Sequence, residues 1–328
     1  LFTAITYLGG FVITLNQTTP ELFFITNLLA GGGKAHKRWN TFSDQLTGKN
    51  YRVNCRITEY QGHAVELARQ AVEEGNKRIY VFGGDGTLNE VLNGVIENDI
   101  LLDPDIELVF LSAGSSCDVE RMFPVKSELI DRIKSERSYL VDVCKVTCRD
   151  NQENPIMRYF LVNSSIGVLS QSIDYFNQKR RFISFLKRLN IDIAALYAGL
   201  KNIFHFKNFD GEIAIDDTEH INRELKNITI FKCSYFGGGM NYGVESRFDD
   251  GKLHIALIGK MGRLRTLSYI PSLYSGTVLK KKRAEYHQAN NVIVNLKKGN
   301  VVIETDGEII GYPSCEYSLL PKFIKIII

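Results

Sequence analysis

The chain has 328 residues, with 40 Lys+Arg against 37 Asp+Glu and 44% hydrophobic residues. Near-balanced charge and 11% aromatics exclude intrinsic disorder. No uncharged apolar run reaches the roughly 18–20 residues of a membrane-spanning helix, and a net charge of +3 makes no case for a nucleic-acid binder.

The length suits roughly two domains at about 150 residues each. The cysteines, Cys55, Cys117, Cys144, Cys148, Cys233 and Cys315, include no C-x-x-C pair. They read as reduced thiols in a reducing, cytoplasmic compartment. Residues 1–20 form a lead segment of unassigned role. Its apolar part, Leu1 to Leu15, fits an extra strand or a disordered lead better than a signal peptide, because no Lys or Arg precedes it.

From Glu21 the pattern is regular. Leu22–Thr26 reads as a buried strand running into Asn27-Leu28-Leu29-Ala30-Gly31-Gly32-Gly33-Lys34. Trp39–Leu46 is a predicted helix, Tyr51–Ile57 a strand, and His63–Glu74 a helix with Ala64, Leu67, Ala68 and Ala71 on one face. Arg78–Phe82 is the next strand, followed by Gly83-Gly84-Asp85-Gly86-Thr87 and a helix over Leu88–Ile96. Glu107–Leu111 is a fourth strand, ending in Ser112-Ala113-Gly114-Ser115-Ser116. Strand, glycine loop and helix repeat as in a parallel sheet with covering helices, where ligands gather at the carboxyl ends of the strands.

The character changes after about Tyr139. Short strands are predicted over Leu140–Thr147, Arg158–Asn163, Glu212–Asp216, Lys226–Ser234, Lys252–Ile258, Asn291–Leu296 and Val301–Glu304. One helical stretch, Phe182–Leu200, interrupts them. The expected fold is therefore α/β plus all-β. Residues 21–139 form a three-layer α/β nucleotide-binding domain, and 140–308 form an antiparallel β-sandwich-like domain, with the active site in the cleft between them.

Consecutive glycines let backbone N–H groups converge on an anion, and Lys34 adds charge, so Asn27–Lys34 reads as a phosphate loop or as a surface turn. Gly83-Gly84-Asp85-Gly86-Thr87-Leu88-Asn89-Glu90 follows a strand and opens a helix, which favours phosphate. A bare polyphosphate would repel Asp85, so that carboxylate makes sense beside Mg²⁺ or a hydroxyl.

The string continuing through Val91-Leu92-Asn93-Gly94 resembles the diacylglycerol kinase catalytic domain family of bacterial soluble lipid kinases, relatives of the sphingosine, ceramide and NAD kinases. The resemblance runs from about Glu21 to the C-terminus. It takes in Asn27–Ala35, where Leu28 and Ala30 replace the family's Pro and Ser, and Thr58 with Gly62-His63-Ala64. It also takes in Gly114-Ser115-Ser116-Cys117-Asp118, where Cys117 replaces an Asn, and Gly237-Gly238-Gly239-Met240.

The resemblance implies a kinase that uses ATP and Mg²⁺ on a diacylglycerol-like lipid at a membrane surface. Asn27, Gly31, Gly33, Lys34, Thr58, Gly83, Gly84, Asp85, Gly86, Thr87, Leu88, Asn89, Glu90 and Ser115 would hold the nucleotide. Glu308, in Thr305-Asp306-Gly307-Glu308, would take the hydroxyl proton with Asp85 and Asp118 nearby. A structural Mg²⁺ would sit on Asp250 and the carbonyls of Arg247 and Lys252, although Asp249-Asp250-Gly251 also fits an ordinary hairpin turn. Residues 309–328 would return to the first domain. Lys179-Arg180-Arg181, Lys187-Arg188 and Lys280-Lys281-Lys282-Arg283 suit either an anionic membrane surface or solvated charge. The expected location is the cytoplasm, peripherally on the membrane, with no nucleic-acid partner and a homodimer left open. An NAD kinase-like enzyme and a non-catalytic lipid- or nucleotide-binding protein are the alternatives.

Overall fold

Strand β1 (Glu21–Thr26) buries both of its faces. Leu22 and Phe24 pack with Trp39, Phe42 and Leu46 of helix α1 (Lys34–Gly48). Phe23 and Ile25 pack with Ala64, Leu67, Leu88 and Val91 of helices α2 (His63–Glu73) and α3 (Asp85–Val95). A strand covered on both sides needs an unbroken apolar run, which is what Leu22–Ile25 supplies. The structure is a computed structural model describing residues 4–8, 11–15, 21–124, 127–178, 181–189, 191–216, 218–298 and 301–328.

Strands β2 (Arg52–Ile57), β3 (Arg78–Gly83) and β4 (Glu107–Ser112) join β1 in a parallel sheet of order β4-β3-β1-β2. Gly94 lets α3 lie directly on α2, because a Cβ there would overlap the Val65 carbonyl. Helix α3 begins at Asp85, three residues earlier than the periodicity suggests, so the glycine loop is itself the helix N-terminus.

The second half is antiparallel. It comprises β5 (Tyr139–Arg149), β6 (Pro155–Phe160), β7 (Asn163–Gly167), β8 (Phe209–Ile215), β9 (Glu219–Phe231), β10 (Leu253–Gly259), β11 (Ala284–Ala289), β12 (Asn291–Lys298), β13 (Ile303–Thr305) and β14 (Glu308–Ile327). Phe160, Ile166, Ile213, Leu225, Ile228, Val294 and Tyr317 form its core. Strand β14 joins the two halves. It pairs antiparallel with β13, β12 and β5, and its last residues Lys325–Ile327 run parallel to Glu107–Val109.

This half holds more helix than the sequence suggested. The stretch over Phe182–Leu200 is two helices, α5 (Arg181–Leu189) and α6 (Ile191–His205). Two unexpected helices flank them in the chain. Helix α4 (Val168–Asn177) starts from Gly167, at φ 132°, whose N–H donates to Ser170 Oγ at 3.0 Å. Helix α7 (Arg263–Tyr274) contains Pro271. A proline inside a helix costs about 3 kcal/mol, and half-buried Tyr269 and Leu273 pack this helix against the core.

The lead strands Ala4–Leu8 and Phe11–Leu15 pair with each other and with no other strand among the described residues. Lys179 and Arg180 lie outside the described residues, as do the side chains of Lys187 and Arg188. Lys280–Arg283 is exposed. All six cysteines are free, and burial pushes the Cys148 thiol up to about 11. No described helix is long and apolar enough to cross a membrane.

Candidate active site

The loops after β1, β3 and β4 converge. A Cβ on Gly114 would stand 2.6 Å from Gly84 Cα, and one on Gly31 (φ 60°) would stand 2.9 Å from the Ala113 carbonyl oxygen. Glycine is therefore required for the three loops to touch through their backbones. Asn27 ties them further: its Nδ2 donates to Thr87 Oγ1 at 3.1 Å, and its Oδ1 accepts from Leu29 N at 3.0 Å.

These loops close the polar end of a cavity of about 880 Å³. Asn27, Gly31, Thr58, Gly84, Asp85, Gly86, Thr87, Glu90, Ser115, Asp118 and Glu308 line it. The other end is apolar, walled by Leu169, Ile173 and Phe176 of α4, Leu196, Leu200 and Ile203 of α6, and Tyr269, Ile270 and Leu273 of α7. A polar mouth thus leads into a hydrophobic chamber made of α6, part of the helical stretch the sequence predicts, and of α4 and α7, which it does not.

Asp85 sits at the N-terminus of α3. Its Oδ2 accepts from Asp118 N at 2.9 Å and its Oδ1 from Val119 N at 3.2 Å. Burial pushes its pKa up to about 7 despite the hydrogen bond from Asp118 N, and the nearby Asp118 charge adds to the rise. Asp118 Oδ2 accepts from Gly238 N at 3.0 Å. Its Oδ1 is buried with no hydrogen-bond partner among the described residues, and the nearest cation, Arg121 Nη1, is 3.7 Å away. A buried carboxylate oxygen without a donor is costly. At the mouth of a cavity it marks a place for a ligand hydroxyl or a hydrated cation.

Glu308 opens β14. Its Oε2 accepts from Arg158 Nη2 at 2.8 Å and its Oε1 from Gln61 Nε2 at 3.2 Å. Asp306, two residues earlier, is half-buried and lines the cavity. It accepts from the N–H groups of Leu161, Val162 and Asn163, each at 3.0 Å, and from Asn89 Nδ2 at 2.9 Å. Asn177 Nδ2 adds a bond to the Gly307 carbonyl at 2.9 Å. The turn carrying Glu308 is therefore fixed from three directions.

Several residues expected at the nucleotide do other work. Asn89 turns away from the loops and holds Asp306 and the Tyr159 carbonyl, both at 2.9 Å. Leu88 is core. Gly83 lies behind the loop, where a Cβ would strike Thr87 Oγ1 at 2.6 Å. Gly33 and Lys34 start α1 at the exposed surface and do not line the cavity. Glu90 lines it, but its oxygens receive the N–H groups of Gly62 and Ala64 at 2.9 and 3.1 Å, capping α2.

Cys117 is also absent from the cavity wall. Its thiol donates to the Gly114 carbonyl at 3.5 Å, and its backbone is left-handed at φ 51°.

Arg158, Gln61 and the buried Glu304 are functional candidates that the sequence reading did not single out. Arg158 and Gln61 sit far along the chain from Glu308, and no local pattern marks such partners.

The expected structural Mg²⁺ on Asp250 does not fit the residues present. Lys232 Nζ donates to Asp250 Oδ1 and to the Lys252 carbonyl, and Arg247 offers Asp250 its N–H at 3.0 Å. No group of three or more His, Cys, Asp or Glu side chains is arranged to hold a metal among the described residues.

A parallel sheet presenting glycine loops to a cavity shared with an antiparallel sandwich defines a two-domain kinase architecture. Residues 21–146 match the Diacylglycerol kinase catalytic domain, and residues 178–328 match the YegS C-terminal NAD kinase beta sandwich-like domain. Residues 21–146 thus form a domain of the diacylglycerol kinase catalytic domain family. YtlR of Bacillus subtilis, which carries a lipid kinase name, is 26% identical over 318 residues, covering 93% of this chain and 98% of YtlR. A Mycobacterium tuberculosis diacylglycerol kinase is 25% identical over 309 residues, covering 92% and 93%. A crystal structure of a Bacillus anthracis protein with a diacylglycerol kinase name superposes with a TM-score of 0.71 at 22% identity, over 94% of this chain and 96% of that one. This last likeness is one of fold.

Proposed function

We propose that the protein transfers the γ-phosphoryl group of ATP to a hydroxyl of a diacylglycerol-like lipid, with Mg²⁺. The continuity of the cavity carries this reading: the glycine loops and the Glu308 carboxylate face the same space as the apolar walls of α4, α6 and α7. A water-soluble acceptor has no use for such a chamber, whereas an acyl chain would fill it.

ATP supplies the phosphoryl group when bound. The chain's own part is positioning and charge, which is most of what phosphoryl transfer asks of a protein. Backbone N–H groups at Gly84 and Gly86, with the Thr87 and Asn27 side chains, would cradle phosphates at the α3 N-terminus. Asp85 and Asp118 would hold Mg²⁺, directly or through water. Glu308 would accept the proton of the lipid hydroxyl, its carboxylate aimed by Arg158 and Gln61. The apolar walls exclude water from the reacting end.

The same helices support docking at a membrane surface. Phe182, Phe185, Ile193, Leu196, Leu264 and Tyr274 on α5, α6 and α7 are exposed apolar side chains. The exposed Lys280–Arg283 follows α7 in the chain and would meet anionic headgroups.

The test is transfer from labelled ATP to diacylglycerol, phosphatidylglycerol and sphingosine in mixed micelles with Mg²⁺, with NAD as an aqueous control. Labelled lipid that disappears in Asp85→Ala and Glu308→Ala supports the reading. Labelled NADP, or nucleotide binding with no transfer to any acceptor, overturns it.

A further inference from the structure

We infer that Lys232 is a tethered cation standing where the resemblance places a divalent ion, so that this chain completes the turn at Asp250 without metal. Lys232 follows β9 and its side chain is fully buried. Its Nζ reaches three oxygens: Asp142 Oδ2 at 2.6 Å, Asp250 Oδ1, and the Lys252 carbonyl at 3.1 Å. An ammonium has three donors and no acceptor, and three oxygens surround this one.

The oxygens have little left to give. Asp250 Oδ1 also accepts from Lys252 N at 3.0 Å, and Oδ2 accepts from Arg247 N at 3.0 Å and lies 2.9 Å from His254 Nε2. Asp142 Oδ1 accepts from Lys322 N at 2.8 Å and Oδ2 from Gly251 N at 2.7 Å. Mg²⁺ demands near-octahedral oxygens at about 2.1 Å. Here it would have to displace those donors and stand beside a buried ammonium. Two carboxylates facing one fixed cation need no second one.

The node joins distant pieces of chain. Asp142 belongs to β5, Lys232 follows β9, Asp250 lies in the turn before β10, and Lys322 lies in β14. The segment after Lys232 leads to the site: Cys233 Sγ donates to the Asp118 carbonyl at 3.4 Å, and Gly238 N donates to the Asp118 carboxylate. Lys232 is thus a positioning residue for the loop that fixes Asp118, and the divalent requirement of the protein is confined to the nucleotide end of the cavity.

The test measures thermal unfolding and Mn²⁺ binding by the loss of free-ion electron paramagnetic resonance, on the full chain without nucleotide. Wild type and Asp250→Asn are to bind Mn²⁺ alike, and EDTA or Mg²⁺ is to leave the wild-type Tm unmoved. Lys232→Met takes the cation from the buried Asp142 and the half-buried Asp250 and lowers Tm by about 10 °C. Added Mg²⁺ restores part of that loss, since the vacated position then resembles a metal site. A Mn²⁺ site in wild type that disappears in Asp250→Asn overturns the inference, as does a wild-type Tm that EDTA lowers while leaving that of Asp250→Asn unmoved. If Lys232→Met fails to fold, the comparison of wild type with Asp250→Asn decides the matter.

Discussion

Arg158 Nη2 and Glu308 Oε2 stand 2.8 Å apart, joining β6 to the first residue of β14 across 150 positions of sequence. The pair is partly buried, with about a fifth of each side chain exposed. It fixes where the proton-accepting oxygens point. Arg158→Gln is expected to lower kcat about tenfold and leave the KM for ATP unmoved, because the Arg158 hydrogen bond goes to Glu308 and none joins it to the glycine loops among the described residues. Glu308→Gln is expected to lose about 10²–10⁴-fold, the span of a positioned general base. Steady-state kinetics on the lipid acceptor checks both, and a rise in the KM for ATP in Arg158→Gln would count against the assignment.

Asp118 carries a buried oxygen without a donor. Burial raises its pKa, although the Gly238 N–H and the Arg121 charge oppose the rise. Asp118→Asn removes a buried charge that Arg121, 3.7 Å away, opposes only in part, while keeping the acceptor for Gly238. Thermal melts are expected to show equal or higher stability, and assays at least a tenfold loss of transfer. Lower stability with intact activity would make Asp118 a structural residue.

Cys117 holds a left-handed backbone at φ 51°, a conformation that costs most side chains about 1–2 kcal/mol and Asn or Gly less. The resemblance places Asn there. Cys117→Asn and Cys117→Gly are each expected to stabilise the protein by about 0.5–1 kcal/mol in denaturant titrations. Because the residue does not line the cavity, acceptor preference should stay the same.

Glu304 is fully buried beside the cavity, accepting from Ser165 Oγ at 2.7 Å and Gly307 N at 2.6 Å. Burial outweighs both bonds and pushes its pKa from 4.5 up to about 7. The folded state therefore holds a proton that the unfolded state releases. The associated stability is full below pH 4.5 and is lost as pH rises toward about 7. The loss is on the order of 3 kcal/mol. Glu304→Gln keeps a hydrogen-bonding group in place and is expected to flatten the fall across that window. Asp85, raised in the same direction, leaves a residual slope. An unchanged pH profile in Glu304→Gln would show that Glu304 titrates normally.

The sequence by itself determined what depends on neighbours in the chain. An apolar run such as Leu22–Ile25 running into a glycine loop suits a strand covered on both faces, and glycines such as Gly84 allow close backbone approach. The strand-loop-helix repeat, the sandwich and the Asp85 loop were legible from such local patterns, whereas Asp118 and Glu308 were singled out only by the family resemblance. Tertiary structure decided the partners. Asn89 belongs to a string that reads as a phosphate loop, yet packing turns it inward to Asp306. Pro271 lies inside α7, which no local pattern marked as a helix, and packing of Tyr269 and Leu273 against the core gives the cavity a wall. Asp250 reads as a metal ligand until Lys232, 18 positions away, places its ammonium on the same oxygens. Local patterns fix backbone conformation because its energetics act over a few residues. Ion pairs, cavities and buried charges depend on which distant segments are brought within a few ångströms, and only the folded chain sets those distances.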